Sequence, residues 1–168
     1  AGAASSGELA TLPDETLRAS FELNFFSHQN VARTAATRFR DQGLGGVLLF
    51  NASKQAFNPG PGLGAYGAAK TALLALMRQY ALELGADGVR VNALNPDRIR
   101  SGLLTPEMIK NRAVARQVSE ETYMAGNLLG VEVTAADVAQ AFVFVALMEK
   151  TTGTVIPVDG GNVAAMPR

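Results

Sequence analysis

Apolar positions along this chain alternate between two rhythms. From Asp14 to Arg40 they recur at helical spacing, through Leu17, Phe21, Asn24/Phe25 and His28. Asp14, following Pro13, is the candidate N-cap, and Gly43, Gly45 and Gly46 close the segment. Val47–Asn51 (VLLFN) is a short continuous apolar run, as expected of a strand buried on both faces. A Gly/Pro-rich loop, FNPGPGLG, then leads into a second long helix over about Ala65 to Leu84, rich in Ala and Leu and ended by Gly85 and Gly88. Val89–Leu94 (VRVNAL) reads as a strand that Pro96 breaks. Residues 101–130 read as short helices and loop. Thr134 caps a helix over Ala135–Met148, with Asp137 completing a capping box, and Thr154–Val158 is a last strand closed by Asp159-Gly160-Gly161. Helices alternating with apolar strands predict an α/β fold with three parallel strands joined by right-handed crossovers. Residues 1–13 read as loop, so the chain enters on a helix with no strand before it, and the start of the sheet is expected to be missing.

Composition narrows the classes of partner. A net charge of +0 offers no field to attract nucleic acid or a membrane surface. With no Cys and one His, a disulfide framework, a thiolate site and a His-rich metal centre are all excluded, so no metal is expected. No apolar run reaches the roughly 18 residues of a membrane span. The first ten residues lack the basic and apolar regions of a secretory signal. A reducing, cytoplasmic setting follows as the default.

Three residues carry chemistry by their spacing. Ser53 lies just past the C-terminal end of the first strand, where open α/β sheets bind ligands. Tyr66 and Lys70, at i and i+4, share one face of the second long helix. A phenol with an ordinary pKa of about 10 is a poor base near neutrality. An ammonium beside it, together with the positive end of a helix, favours the phenolate and is expected to lower that value. Tyr66 then becomes a usable general acid/base, and Ser53 can hold a substrate oxygen beside it.

Ser53 followed by Tyr66-Gly67-Ala68-Ala69-Lys70 resembles the short-chain dehydrogenase/reductase signature of Ser, twelve residues, then Tyr-x-x-x-Lys. The resemblance runs along essentially the whole chain. Ala1-Gly2 resembles the tail of the family's Asn-Ala-Gly motif. VRVNALNPDRIRS resembles its sixth strand and following loop, and TTGTVIPVDGGN its last strand. FNASKQAFNPGPGLGAYGAAK is similar to the dehydrogenase part of fused aldolase/short-chain dehydrogenases. The resemblance implies the C-terminal part of a Rossmann-like, doubly wound parallel sheet, with residues 1–168 forming a partial domain that runs from after the family's fourth strand to its last. It implies an NAD- or NADP-dependent oxidoreductase moving hydride to or from a carbonyl or secondary alcohol. The implied catalytic residues are Asn24, Ser53, Tyr66 and Lys70, with Asn24 holding a water that links Lys70 to solvent. The implied cofactor contacts are Asn51, Tyr66, Lys70, Pro96, Ile99 and Ser101. Asp97 departs from the Gly usual after this Pro, which puts the nicotinamide pocket's geometry in question.

No Gly-rich turn of the pyrophosphate-binding kind is present; the glycines of PGPGLGAYG lie between Ser53 and Tyr66 and read as loop. The chain alone is therefore expected to bind cofactor weakly or not at all. It is also expected to bury the open edge of Val47–Asn51, and helices 14–40 and 65–84, against another copy or the missing N-terminal half. His28 and the three phenylalanines Phe25, Phe26 and Phe39 read as packing or surface. Asp159 reads as a turn residue, and Arg98, Arg100, Arg112 and Arg116 as a solvated face in preference to a phosphate site. The competing reading is a non-catalytic oligomerisation module on the same fold, which would have no need of an intact tetrad of Asn24, Ser53, Tyr66 and Lys70.

Overall fold

The computed structural model describes residues 2–163; Ala1, the first residue of the expected Asn-Ala-Gly tail, lies outside them. The elements run α1 (Asp14–Phe21), a π-helical turn (Glu22–Phe26), α2 (Ser27–Gln42), β1 (Gly46–Asn51), α3 (Gly64–Leu84), β2 (Val89–Pro96), α4 (Pro106–Ala115), α5 (Glu120–Met124), α6 (Ala135–Leu147) and β3 (Val155–Val158). The three strands form one parallel sheet in the order β1-β2-β3. Gly46 pairs with Val89 and Asn51 with Leu94, while Ala93 pairs with Val155 and Pro96 with Val158. This is the expected α/β arrangement of helices around parallel strands.

The first helical region is continuous, but it carries an extra residue. The π turn lets Ser20, Asn24, Ala32 and Ala36 all point inward along one stripe. Three expectations at element ends need correction. Pro13, not Asp14, occupies the N-cap position of α1, with no side-chain cap; Asp14 is the first helical residue, where its charge still suits the helix's positive end. Pro96 does not break β2 but ends it, still paired with Val158, because that pairing does not call on the N–H that proline lacks. Gly85 keeps a right-handed conformation and continues into a short 3₁₀ turn; Gly88, at φ 71°, makes the left-handed exit. Elsewhere the signals match the chain. Gly43 ends α2 at φ 63°, and the Thr134/Asp137 capping box starts α6 with both reciprocal bonds in place.

The core lies where α2 and α3 cover the sheet. Leu73, Met77 and Leu84 of α3 close against Val89, Val91 and Ala93 of β2, all fully or almost fully buried, with Phe50 of β1 and the small Ala32 and Ala36 of α2. The small residues let α2 approach closely. On the sheet's other side, Arg90 ties β2 to the C-terminal end of α6 by donating to the carbonyls of Ala146 and Met148, each at 2.8 Å. Asn92, wholly buried, donates to Thr151 at 2.8 Å and so fixes the approach to β3. A second, smaller cluster of Leu104, Ile109, Ala113, Tyr123 and Met124 holds α4 and α5 together beyond the end of β2. Among the described residues, no strand pairs with the outer side of β1.

Candidate active site

Two short-range contacts fix Ser53 against the start of α3. Ser53, in an extended conformation, caps the 3₁₀ turn Lys54–Ala56 by accepting from the Gln55 amide at 3.2 Å. That turn lies directly on α3. Thr71 Oγ1 donates to the Ala56 carbonyl at 3.2 Å, and a Cβ at Gly67 would meet the Gln55 carbonyl at 3.1 Å. Gly67 therefore permits the close approach that brings Tyr66 to Ser53. Gln55 also accepts from the Gly60 amide at 2.7 Å, which folds the Gly/Pro loop back over this corner.

Lys70, 3% exposed, lies one turn further along α3 and donates from Nζ to the Asn51 carbonyl at the end of β1, at 2.9 Å. Its Nζ stands 5.9 Å from the Tyr66 ring centre. Ser53, Tyr66, Lys70 and Asn51, with Pro96, Ile99 and Ser101 from beyond β2, all line one cleft of about 890 Å³ at the C-terminal ends of the strands.

Burial dominates the electrostatics. It lowers the Lys70 amine from 10.5 to about 8. It also raises the Tyr66 hydroxyl above its ordinary value, and a hydrogen-bonding interaction with Ser53 opposes that rise. The sequence expectation that Lys70 brings the phenol down is therefore not met in this chain by itself. The ammonium is directed at the Asn51 carbonyl, and desolvation of Tyr66 outweighs the opposing hydrogen bond with Ser53.

Asn24 stands apart from the cleft. It is fully buried in the π turn, where its amide donates to the carbonyls of Ala3, at 2.9 Å, and Ser20, at 3.0 Å, and its oxygen accepts from the Ala3 amide at 3.3 Å. It pins the entering segment to the helix, and the π turn packs on α3. Ser101 lines the cleft, but its hydroxyl is engaged in its own turn, donating to Ile99 at 3.1 Å and accepting from the amides of Leu103 and Leu104.

Asp97 lines the cleft at the pocket where the sequence reading put it, and several residues line it that the sequence reading placed elsewhere. His28 is half-buried there, and burial first, then the Lys70 charge, lowers it from 6.5 to about 4. Asp97 is ion-paired with Arg98 at 3.4 Å. Burial raises its carboxyl, while Lys54 and Arg98 pull the other way. Arg98, Arg112 and Arg116 also face the cleft, so they are not simply a solvated face; Arg100 alone of that group points away, to Glu132 at 2.7 Å. The i, i+4 spacing of Arg112 and Arg116 is the signal that could have marked them as one face. Asp159 is a turn residue as expected, accepting from the amides of Gly161, at 2.8 Å, and Val163, at 2.9 Å.

A family profile described as enoyl-(acyl carrier protein) reductase matches residues 1–162. The chain belongs to the short-chain dehydrogenase/reductase family. Within this family it is 36% identical over 146 residues to the uncharacterised oxidoreductase YuxG of Bacillus subtilis, covering 82% of this chain and 21% of that protein. It is 34% identical over 156 residues to 4-formylbenzenesulfonate dehydrogenase TsaC1/TsaC2 of Comamonas testosteroni, covering 92% of this chain and 60% of that enzyme. Among solved structures, acetoin dehydrogenase YohF of Salmonella typhimurium superposes with a TM-score of 0.84 at 26% identity, over 100% of this chain and 64% of the other. A Beutenbergia cavernae protein assigned as an NAD(P)-dependent gluconate 5-dehydrogenase, solved with NADP at low occupancy, gives a TM-score of 0.87 at 26% identity, over 98% of this chain and 64% of the other. The short-chain dehydrogenase/reductase chain described here thus spans only part of each of these proteins.

The Asn24 hydrogen bonds generate a stability prediction. Asn24→Ala removes a fully buried amide and its bonds to Ser20 and Ala3, and is expected to destabilise the fold by about 1–3 kcal/mol. Urea denaturation of the two proteins side by side measures this; an unchanged midpoint would contradict it.

Proposed function

We propose that these residues form the catalytic part of an NAD- or NADP-dependent oxidoreductase that interconverts a secondary alcohol and its carbonyl. The observation that carries the reading is the convergence of Ser53, Tyr66 and Lys70 on one cleft at the strand ends. Asn51, Pro96, Ile99 and Ser101 share that cleft, and Lys70 lines it with its amine bonded to the Asn51 carbonyl. These donors and acceptors suit the ribose and carboxamide of a nicotinamide nucleotide. The nicotinamide, when bound, supplies the hydride acceptor or donor.

The chain's own residues handle the oxygen. Ser53 donates a hydrogen bond to the substrate oxygen and fixes it beside the Tyr66 hydroxyl. In reduction Tyr66 gives its proton to that oxygen; in oxidation it takes the proton back. Near neutrality Tyr66 is in its phenol form, the form that donates, and burial makes it a weaker acid than a phenol in water. The Lys70 charge supports the phenolate formed after donation. Asn24 supports the relay indirectly, by fixing the helix that packs on α3.

The same proposal covers the chain's wider setting. Residues 1–168 are the C-terminal part of a dehydrogenase domain whose remaining strands pair with the open edge of β1. Homo-oligomers form through helices α1–α2 and α3, where Val31 and Leu82 stand 71% and 78% exposed. Cytoplasmic placement is part of the reading; none of the described helices is long and apolar enough to cross a membrane.

Replacing Tyr66 with Phe in the full-length protein removes the proton donor and leaves the ring in place. Turnover is expected to fall by about 100-fold or more, with cofactor affinity retained. Steady-state kinetics on a carbonyl panel with NADH and NADPH checks this, and substantial residual turnover would refute the assignment. Residues 1–168 alone are expected to bind NAD and NADP weakly or not at all; isothermal titration showing micromolar affinity would contradict the partial-domain reading.

A further inference from the structure

Three of the five lysines and arginines on the cleft have a partner, the first being Lys54, whose charge acts on the Asp97 carboxyl. Lys70 is held by the Asn51 carbonyl. Arg98 is ion-paired with Asp97 and donates to the carbonyls of Tyr123 and Gly126. Arg112 and Arg116 are different. They lie one turn apart on the face of α4 and its C-terminal extension that looks into the cleft. Among the described residues, no carboxylate pairs with either of them. The Arg116 side chain makes one hydrogen bond among the described residues, to the Arg112 carbonyl at 3.3 Å. That bond suits a cation at the end of a helix. It does not explain why both guanidinium groups line the same cleft as Ser53 and Tyr66.

A second observation comes from Tyr123. Its ring, 5% exposed, carries two guanidinium groups, Arg98 at 4.8 Å and Arg116 at 5.3 Å. Stacking on an aromatic face orients a guanidinium and leaves its in-plane N–H groups free. Two like charges on one buried ring repel each other, and Asp97, the one acidic residue among the described residues of the cleft, pairs with Arg98 and not with Arg116. The chain as a whole has a net charge of +0, so this basic wall is a local arrangement.

We propose that Arg112 and Arg116 bind an anionic group of the substrate, a carboxylate, sulfonate or phosphate, in the cleft they share with Tyr66. The inference rests on the oxidoreductase reading for the reacting end of that substrate. The oxygens of such a group match the guanidinium fork. With Tyr123 holding Arg116 in place, less side-chain freedom is lost on binding. The substrate is then an oxo or hydroxy acid, or its phosphate or sulfonate equivalent, anchored at one end and reduced or oxidised at the other.

The test uses the full-length protein and three acids of increasing reach, 3-hydroxybutyrate, 4-hydroxypentanoate and 5-hydroxyhexanoate, each against its methyl ester. Affinity is read by ligand-observed NMR and kcat/KM by steady-state kinetics. At least one acid is expected to be preferred over its ester by about tenfold or more in both readouts. Arg112→Gln and Arg116→Gln abolish that preference and leave the ester's values and the cofactor KM unchanged. Arg116→Lys, which keeps the charge without the fork, restores part of it. The proposal is overturned if no acid is preferred, or if the preference survives both glutamine substitutions. It is equally overturned if acid and ester fall together while the KM for NADP rises, which would assign the two arginines to the cofactor's phosphates. Charge-dependent binding that persists in a protein with no turnover would refute the oxidoreductase reading and leave the anion site standing.

Discussion

The hydrogen bond from the Lys70 amine to the Asn51 carbonyl joins the two halves of the site. It ties the first turns of α3 to the end of β1, and Ser53 and Tyr66 lie on either side of that joint. A lysine buried to 3% exposure is costly unless it finds a polar partner. Here the partner is a backbone carbonyl, not a carboxylate, so the amine keeps a lowered affinity for its proton. Gly67, by allowing α3 to approach the turn after Ser53, and Thr71, by bonding to Ala56, hold the same corner from the other side.

This corner gives the site an electrostatic character that a motif alone does not convey. Spacing shows that Tyr66 and Lys70 share a helix face; it says nothing of how much water reaches them. The folded chain excludes water so well that the phenol is pushed up, the amine down, and the neighbouring His28 down as well. All three shifts favour neutral forms, as expected of a low-dielectric cleft. The small cluster beneath Arg116, with Tyr123 at its centre, is what holds α4 and α5 over the strand ends.

Much of the fold was legible because its signals are local. The apolar runs marked all three strands, Gly43 and Gly88 marked helix exits through their left-handed φ, and Thr134 with Asp137 marked the start of α6. The errors fell where tertiary contacts decide. Asp14 and Pro96 were misplaced by a residue or so, because a cap or a strand end depends on what it packs against. The π turn that buries Asn24 left no trace in the helical pattern. In the site, Ser53, Tyr66 and Lys70 could be found from spacing, whereas Asn24's bond to Ala3 spans 21 positions and has no sequence signature. The arginines were visible as a cluster, but only the packing of α4 on Tyr123 turns Arg112 and Arg116 toward the cleft.

Titration of the lysine amines by heteronuclear NMR tests the buried Lys70–Asn51 joint most directly. Burial makes the charged form of Lys70 less favourable when folded, so its proton should leave near pH 8, while fully solvated lysines retain theirs up to about 10.4. A Lys70 resonance shifting near pH 8, and absent from Lys70→Met, is the predicted result. A Lys70 amine that titrates at the ordinary value would mean that it stands in water, with α3 not closed on the end of β1, and the account of the site would be wrong.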